Sequence, residues 1–373
     1  MILIFLFNTL AEAQNAKIIF EVSTYKLDDT ISVYITGNNE KLGDWDPALI
    51  RLNKEGNNWK IELSFPKGTK LAYKFTLGEW NTEALTDKGE IPNNSILNVD
   101  KDTLVSLKIN HWGSRILPKI SFHGKITGEV KYHRNFKGDG LLPRDIIVWL
   151  PPSYEKELLK RYPVLYAHDG QNLFDPSTSS IGVDWQLDET ADSLIKQGKI
   201  HEIIIVGIYN SPRRMKEYYT GDTGETYLKF VVNELKPFID KTYRTLPNRE
   251  NTASIGSSAG GLVSFMLVWE YNNVFSKAAC ISPAFFIRGL DYITPVLESR
   301  VKRKNVKIYI DCGGKGLDSI LLTGTKKMLS ALKEKGYRKG KDYQWYFDKT
   351  GEHNEQNWAR RLWRPLEYLY GTK

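Results

Sequence analysis

The chain of 373 residues has little of what several protein classes require. Its two cysteines, Cys280 and Cys312, are too few for a zinc site of their own or for the disulfide framework of a small secreted domain. No apolar run approaches the roughly 18 residues of a membrane span, which excludes a multi-spanning membrane protein. With so few cysteines, the core of the protein must be held together by packing. We expect both cysteines to be buried free thiols, with a bridge between neighbouring strands as the alternative.

The charge excess is modest and unevenly placed. Lysine and arginine number 52 against 44 acidic residues, a net charge of +8. Residues 17–113 carry 12 basic and 14 acidic side chains, a net of −2, whereas residues 114–373 carry 40 and 29, a net of +11. The basic clusters lie beside apolar helical or strand patterns and mostly lack interleaved aromatic residues. We therefore expect solvated faces and no nucleic-acid partner.

The first residues have the pattern of an export signal. Residues 1–10 form a short apolar stretch, and Ala11-Glu12-Ala13 has the small-x-small form of a cleavage site. The usual basic segment is missing, and a buried strand is the alternative interpretation. We predict a signal peptide of residues 1–13 and a secreted or periplasmic protein.

Two patterns of hydrophobicity divide the rest of the chain. Residues 17–113 contain short alternating segments separated by Gly, Asn, Asp and Pro, which predict antiparallel strands in a β-sandwich. Residues 114–126 form the predicted connector. In residues 127–373, apolar runs typical of buried strands alternate with amphipathic helical segments, which predicts a doubly wound, mostly parallel α/β sheet. Active sites of such sheets lie at the carboxyl ends of the strands.

A glycine-rich turn carries the strongest chemical signal. Residues 256–260 follow an apolar strand, precede a helical run and have the G-x-S-x-G form of a nucleophile elbow centred on Ser258. Small neighbours let the serine occupy a strained strand-to-helix turn, from which the N–H of Ala259 can face a developing oxyanion. A glycine-rich turn without catalytic function is the alternative.

A catalytic serine needs a base, and the base needs a carboxylate to orient it. His353 is the one histidine that follows Ser258 in the sequence. The acid is expected between them, and the candidates there are Asp311 and Asp318. We favour Asp318 because it lies beyond two glycines, in a predicted loop that can reach across the sheet. Asp311 ends a predicted strand, and a turn-forming role is the alternative for each.

The loop at residues 168–172 follows a buried strand and supplies the second predicted oxyanion donor. Gly170 lets the backbone bend so that the N–H of Gln171 faces the substrate oxygen. His168 and Asp169 are adjacent and precede the elbow, so we expect them to shape the loop. Other predicted loops supply the residues expected to line the substrate pocket: Trp185, Arg214 and Glu217.

Residues from about 128 to 373 resemble the putative esterase family of α/β-hydrolases, which includes feruloyl, acetyl-xylan and enterochelin esterases. The resemblance rests on residues 166–174 and 214–218, the elbow at 256–260, the loop at 313–318, and residues 351–353 with Trp358 beyond. It implies an α/β-hydrolase fold and a serine esterase whose triad is Ser258, Asp318 and His353. No metal and no organic cofactor are expected.

The N-terminal segment resembles the starch-binding type of carbohydrate-binding module. The resemblance rests on residues 33–38, 42–45, 66–68, 73–75 and 78–80. It implies sugar rings that stack on exposed indoles, and the expected platform is Trp45 and Trp80 with Lys74 nearby. Tryptophan in the core is the alternative. Because residues 80–85 depart in spacing from better-known starch binders, another glycan, or packing on the catalytic domain, is the alternative to α-glucan.

These features predict a serine carboxylic-ester hydrolase that acts on acyl groups carried by carbohydrate. Hydrolysis of a siderophore or another small ester is the alternative within the same class. A catalytically inactive glycan-binding protein is the alternative of another class. The presence of all three triad residue types in chain order favours the active enzyme.

Overall fold

A computed structural model of the chain describes residues 15–24, 27, 31–56, 58–79, 82–87, 89, 91–113, 126–180, 182–287, 289–300 and 304–372. The chain divides into two compact units, Met1–Pro118 and Lys119–Lys373. This division falls inside the predicted connector, whose residues 114–125 lie outside the described part of the chain. The predicted signal peptide of residues 1–13 also lies outside it.

The first unit contains two four-stranded sheets and a two-stranded pair. Its strands are β1 (Asn15–Thr24), β2 (Tyr34–Gly37), β3 (Ile50–Arg51), β4 (Asn53–Glu55), β5 (Asn58–Pro66), β6 (Lys70–Thr76), β7 (Ala84–Leu85), β8 (Ser95–Asn98), β9 (Thr103–Ile109) and β10 (His111–Trp112). The sheet orders are β4-β5-β1-β9 and β3-β2-β6-β8, and β7 pairs with β10. Phe20 of β1 contacts Tyr73 of β6 edge to face, with ring centroids 5.0 Å apart, so the two sheets share one core.

One pairing in this unit differs from the prediction of antiparallel strands. β1 pairs with β9 in parallel, from Ile18 opposite Thr103 to Thr24 opposite Ile109. Alternating hydrophobicity reports which face of a strand is buried and not its direction, because a reversed strand presents the same alternation. The sandwich is as predicted, and the direction of this pair is the correction.

The second unit is built on an eight-stranded sheet. Its strands are β11 (Glu129–Phe136), β12 (Arg144–Leu150), β13 (Val164–His168), β14 (Ile204–Ile208), β15 (Thr252–Ser257), β16 (Lys277–Ile281), β19 (Lys307–Gly313) and β20 (Tyr343–Asp348), with a separate hairpin of β17 (Phe286–Ile287) and β18 (Leu290–Asp291). The order is β11-β12-β14-β13-β15-β16-β19-β20. Only β12 runs against its neighbours, so this sheet is mostly parallel, as predicted.

Helices cover both faces of this sheet. They are α1 (Leu187–Lys196), α2 (Arg214–Tyr218), α3 (Asp222–Phe230), α4 (Lys236–Thr242), α5 (Ala259–Glu270), α6 (Ile293–Glu298), α7 (Gly316–Glu334), α8 (Glu355–Ala359) and α9 (Trp363–Tyr370). Along β12, Ile146 and Val148 join the cluster that includes α3 to α7, whereas Ile147 and Trp149 join the cluster that includes α1 and α9. Consecutive side chains of a strand point to opposite faces, so both faces are buried.

The start of α7 corrects a detail that concerns the site. The sequence pattern predicted a loop around Asp318, but the helix begins at Gly316 and Asp318 lies in its first turn. A carboxylate is stabilised there by the positive end of the helix dipole. Among the described residues, no helix has the length and apolar character needed to cross a membrane.

Candidate active site

The elbow is a tight turn between β15 and α5. Ser258 has φ 55° and ψ −123°, a conformation that non-glycine residues rarely adopt. The turn closes because its glycines have no side chains: a Cβ on Gly256 would lie 2.5 Å from the carbonyl carbon of Gly260. The strained serine therefore lies at the carboxyl end of a central strand, where its side chain is only partly buried.

The predicted base, on the loop after β20, meets the predicted acid in the first turn of α7. His353 follows β20, and its Nδ1 lies 2.6 Å from Oδ1 of Asp318. The Asp318 side chain is fully buried, while that of His353 is 13% exposed. Since a carboxylate only accepts hydrogen bonds, this contact requires the proton on Nδ1, which leaves Nε2 free to accept a proton.

Asp318 is held as an anion. Its Oδ2 accepts hydrogen bonds from the N–H of Gly313 at 2.8 Å and from the hydroxyl of Ser282 at 2.7 Å. Burial by itself would raise the pKa of Asp318, but the charge and hydrogen bond of His353 and the hydrogen bond of Ser282 together hold that pKa below its usual value. The acid next to His353 is therefore ionised at neutral pH.

Asp311, the other candidate acid, has a different partner. Its oxygens accept hydrogen bonds from Nε and Nη2 of Arg361 at 2.9 and 3.0 Å, and both side chains are buried. Burial raises the pKa of Asp311, and the guanidinium of Arg361 opposes that rise. The structure thus brings Asp318, and not Asp311, to His353.

The serine and the imidazole are not yet hydrogen bonded in this structure. Across the described residues, no hydrogen bond within 3.5 Å joins Oγ of Ser258 to His353. Such contacts are often long without substrate and tighten when it binds. The role of each triad member stays a prediction.

The two predicted oxyanion donors have N–H groups available. Asp169 adopts φ 60°, and a Cβ on Gly170 would lie 2.7 Å from the backbone of Gly207, so the loop bends sharply against β14. Within the described part of the chain, the backbone N–H groups of Gln171 and Ala259 donate no hydrogen bond. Both can therefore donate a hydrogen bond to a negatively charged oxygen.

His168 is the last residue of β13, and Asp169 follows it at the start of this loop. His168 is fully buried between the hydroxyls of Tyr227 and Ser254, each 3.0 Å from a ring nitrogen, and burial lowers its pKa to about 3. Asp169 forms a two-pronged ion pair with Arg214, with both N···O distances 2.7 Å. These contacts agree with a loop-shaping role.

The residues predicted to line the pocket are mostly interior. Glu217 is buried against Arg144, with both oxygens 2.9 Å from the guanidinium, and Trp185 is buried against Trp358. The prediction that Glu217 and Trp185 offer surface to a substrate is therefore corrected, because apolar packing and the ion pair occupy these side chains. Arg214 keeps 25% of its side chain exposed while it pairs with Asp169.

The predicted glycan platform is only partly described. Trp45 ends a short 3₁₀ segment with φ 66° and is half-buried. Lys74 lies on β6, and its ammonium contacts Oε2 of the buried Glu83 at 2.6 Å. Trp80 lies outside the described residues, so the platform stays a prediction.

The two cysteines and one cluster of carboxylates are the groups that redox chemistry or a metal ion would involve. Cys280 and Cys312 are buried free thiols, as expected. In the residues that the structure describes, one group of carboxylates has oxygens within 4.8 Å of one another: Asp184, Asp188 and Glu189. Burial raises the pKa of Asp184 to about 6 and that of Asp188 to about 8, so Asp188 is largely protonated at neutral pH and Asp184 only at more acidic pH.

Comparison with known proteins decides the family. Residues 142–369 match the family model described as putative esterase, and residues 15–103 match that of a starch-binding domain. The chain belongs to the putative esterase family. It is an esterase with an α/β-hydrolase fold, preceded by a small β-rich domain of the starch-binding type. Both resemblances inferred from sequence motifs are confirmed.

Two curated proteins are similar to this chain in sequence. The chain is 25% identical to the uncharacterized protein YbbA of Bacillus subtilis (strain 168) over 248 residues, which cover 61% of this chain and 93% of that protein. It is 30% identical to an endo-1,4-beta-xylanase/feruloyl esterase of Xylanibacter ruminicola over 196 residues, 51% of this chain and 25% of that protein.

Solved structures of similar fold include two esterases. A ferulic acid esterase matches with a TM-score of 0.55 and 23% identity, over 65% of this chain and 98% of that chain. The enterobactin esterase FES of Shigella flexneri, solved with enterobactin, matches with a TM-score of 0.55 and 12% identity, over 91% of this chain and 88% of that chain. At these identities the likeness establishes the fold.

Three residues at the site were missed or left without a role by sequence reasoning. Ser282 and Arg361 contact Asp318 or its neighbour Asp311, and Trp358 packs edge-on against His353 with ring centroids 4.9 Å apart. Trp358 was visible only as part of the family pattern. No short motif links Ser282 to Arg361, which is 79 positions further along the chain.

Proposed function

We propose that this esterase is a serine hydrolase that removes acyl groups from carbohydrate through an acyl-enzyme. The observation that carries the proposal is the 2.6 Å contact between His353 and the buried Asp318, which follow the carboxyl ends of β20 and β19 as the strained Ser258 follows that of the parallel strand β15. A nucleophile, a base with a free Nε2 and an orienting carboxylate are the parts that acyl transfer needs.

The proposed reaction runs in two steps. Ser258 Oγ attacks the ester carbonyl while His353 Nε2 takes its proton, and the oxyanion is stabilised by the N–H groups of Gln171 and Ala259. Collapse releases the alcohol, which receives the proton from His353. Water, deprotonated by His353, then cleaves the acyl-enzyme to give the carboxylic acid and free Ser258.

The carbohydrate part of the proposal rests on the N-terminal unit. A domain of the starch-binding type on an esterase supports a substrate that is itself a glycan or lies beside one. The relative from Xylanibacter ruminicola, named as both xylanase and feruloyl esterase, supports the same class of substrate.

A substrate panel tests the proposal. The purified protein and its Ser258→Ala variant are compared on acetylated xylan, methyl ferulate, a short p-nitrophenyl ester and a catecholate siderophore. We expect turnover of a carbohydrate-linked acyl ester by the native protein and a loss of about a millionfold in kcat in the variant. Ser257→Ala is the matched control and should keep most activity. Preference for the siderophore would overturn the substrate class, and an active Ser258→Ala would overturn the mechanism.

A further inference from the structure

Ser282 contacts Asp318 of the proposed triad, and its hydroxyl uses its one proton and both lone pairs in hydrogen bonds. Its oxygen lies 2.8 Å from Nη2 of Arg361, 3.3 Å from Nε1 of Trp358 and 2.7 Å from Oδ2 of Asp318. The guanidinium and the indole only donate, and the carboxylate only accepts. The single hydroxyl proton must therefore point at Asp318, while the two lone pairs of the oxygen accept from Arg361 and Trp358.

The backbone of Ser282 is held as firmly as its side chain. Ser282 adopts φ 42°, an uncommon conformation for a residue with a side chain, and its N–H donates to the backbone oxygen of Asp311 at 3.1 Å and to Oδ1 of the same residue at 3.2 Å. Asp311 in turn holds Arg361 with two hydrogen bonds. Asp311, which is not part of the proposed triad, therefore holds Arg361, and Arg361 in turn orients Ser282.

The same residues also contact the base. Trp358 donates its N–H to Ser282 and presents its ring edge-on to the imidazole of His353, at an interplanar angle of 87°. Ser282, Trp358 and Asp318 are all buried. The charged and titratable groups around Asp318 are His353, Arg361, Asp311 and Cys312.

We propose that Ser282 is a positioning residue for ester hydrolysis, because its hydroxyl, oriented by Arg361 and Trp358, fixes the carboxylate that orients His353. This inference rests on the proposed function. It assigns no contact with substrate to Ser282. Its consequence is that Ser282 affects the rate of the chemical step and not the binding of the ester.

The effect of removing the hydroxyl follows from the hydrogen bonds that remain. In Ser282→Ala, the one hydrogen bond that Oδ2 of Asp318 keeps from the described residues is that of the Gly313 N–H, with Nη2 of Arg361 3.8 Å away, so the carboxylate is held less firmly and its negative charge is less dispersed. A more concentrated charge favours the imidazolium form of His353 over the neutral base. The acid limb of the pH profile of kcat/KM, which reports the free enzyme, should then move to higher pH.

The test compares the full-length protein with Ser282→Ala and with Ser276→Ala. Ser276 is a matched control because it is a buried serine at the opposite end of β16, and its hydroxyl donates to the backbone oxygen of Arg249 at 2.7 Å. Ser282→Ala should lower kcat about 10- to 100-fold on a p-nitrophenyl ester, the rate equivalent of one hydrogen bond to a charged group. KM should stay unchanged, and the acid limb should rise by about half to one pH unit.

Ser276→Ala should alter melting temperature at most, with the kcat and acid limb of the native protein. A folded Ser282→Ala with native kcat and acid limb, or an equal loss in both alanine variants, would overturn the inference. If Ser282→Ala does not fold, Trp358→Phe decides, because it keeps an aromatic ring and removes one donor to Ser282. A smaller loss of kcat and a shift of the acid limb in the same direction are expected, and native values of both would contradict the inference. Ser258→Ala run in parallel separates the two proposals, because activity in that variant refutes the triad itself.

Discussion

The substitution of Asp318 by asparagine is the sharpest test of how the site holds its histidine. Oδ2 of Asp318 faces two donors, the N–H of Gly313 and the hydroxyl of Ser282. The asparagine amide must therefore turn its oxygen toward them and its NH₂ group toward Nδ1 of His353. That nitrogen can then only accept, so the proton moves to Nε2 and the imidazole can no longer take the proton of Ser258.

The wrong tautomer is expected to lower kcat by about 10³- to 10⁴-fold. The side chain keeps its shape and its hydrogen bonds, so the melting temperature should change little. Asp311→Asn is the matched control: it leaves Arg361 buried with a weakened partner, which costs about 3–5 kcal/mol of unfolding free energy and about 10 °C in melting temperature. Its folded fraction should keep kcat within about tenfold of native, since Asp311 bonds to Ser282 and Arg361, which in turn contact Asp318, and His353 bonds to Asp318 itself.

Both variants are assayed on one p-nitrophenyl ester, with thermal melts followed by circular dichroism. Equal losses of kcat in the two variants, or a loss in Asp311→Asn alone, would refute the assignment of Asp318 as the acid. A native kcat in Asp318→Asn would refute the tautomer argument.

Two other predictions concern regions away from the triad. Burial raises the pKa of Asp188 to about 8, so the stability that comes from its protonated form is fully present below the ordinary pKa near 4 and is lost as pH rises through 8. The Asp188→Asn variant should therefore have a melting temperature a few degrees above that of the native protein at pH 9 and the same melting temperature at pH 4. Equal melting temperatures at pH 9 would contradict this. Trp45→Ala and Trp80→Ala should each weaken retention of the full chain by insoluble α-glucan by about 1–2 kcal/mol without changing kcat on a soluble ester, whereas unchanged retention in both would mean that these indoles do not bind sugar.

The local parts of this structure could be predicted from the sequence. The elbow around Ser258 could be recognised from five consecutive residues, because Gly256 approaches the backbone of Gly260 too closely to carry a side chain. The two domain types could also be predicted, because period-two alternation in residues 17–113 indicates a β-sandwich and continuous apolar runs in residues 127–373 indicate a buried parallel sheet. The order of nucleophile, acid and base along the chain left two candidate aspartates, and the position of Asp318 beyond the glycines favoured the one that the structure brings to His353.

The parts that could not be predicted depend on contacts between distant residues. Glu217 was expected at a pocket because it was placed in a predicted loop, yet it lies in α2 and forms a buried ion pair with Arg144, 73 positions earlier. The contact of Arg361 with Asp311 spans 50 positions, and neither residue belongs to a short motif. A charged residue in a single sequence gives no sign of whether its partner is water or a buried opposite charge, so such pairs appear only in three dimensions.

The central claim, that Ser258 forms the acyl-enzyme, is tested most directly by covalent labelling. The native protein is treated with a fluorophosphonate, and the modified peptide is located by mass spectrometry while esterase activity is followed. We predict one adduct per chain on Ser258, loss of activity in proportion to labelling, no adduct in Ser258→Ala, and normal labelling in Ser257→Ala. An adduct on another residue, or full labelling of Ser258 with activity retained, would contradict the account.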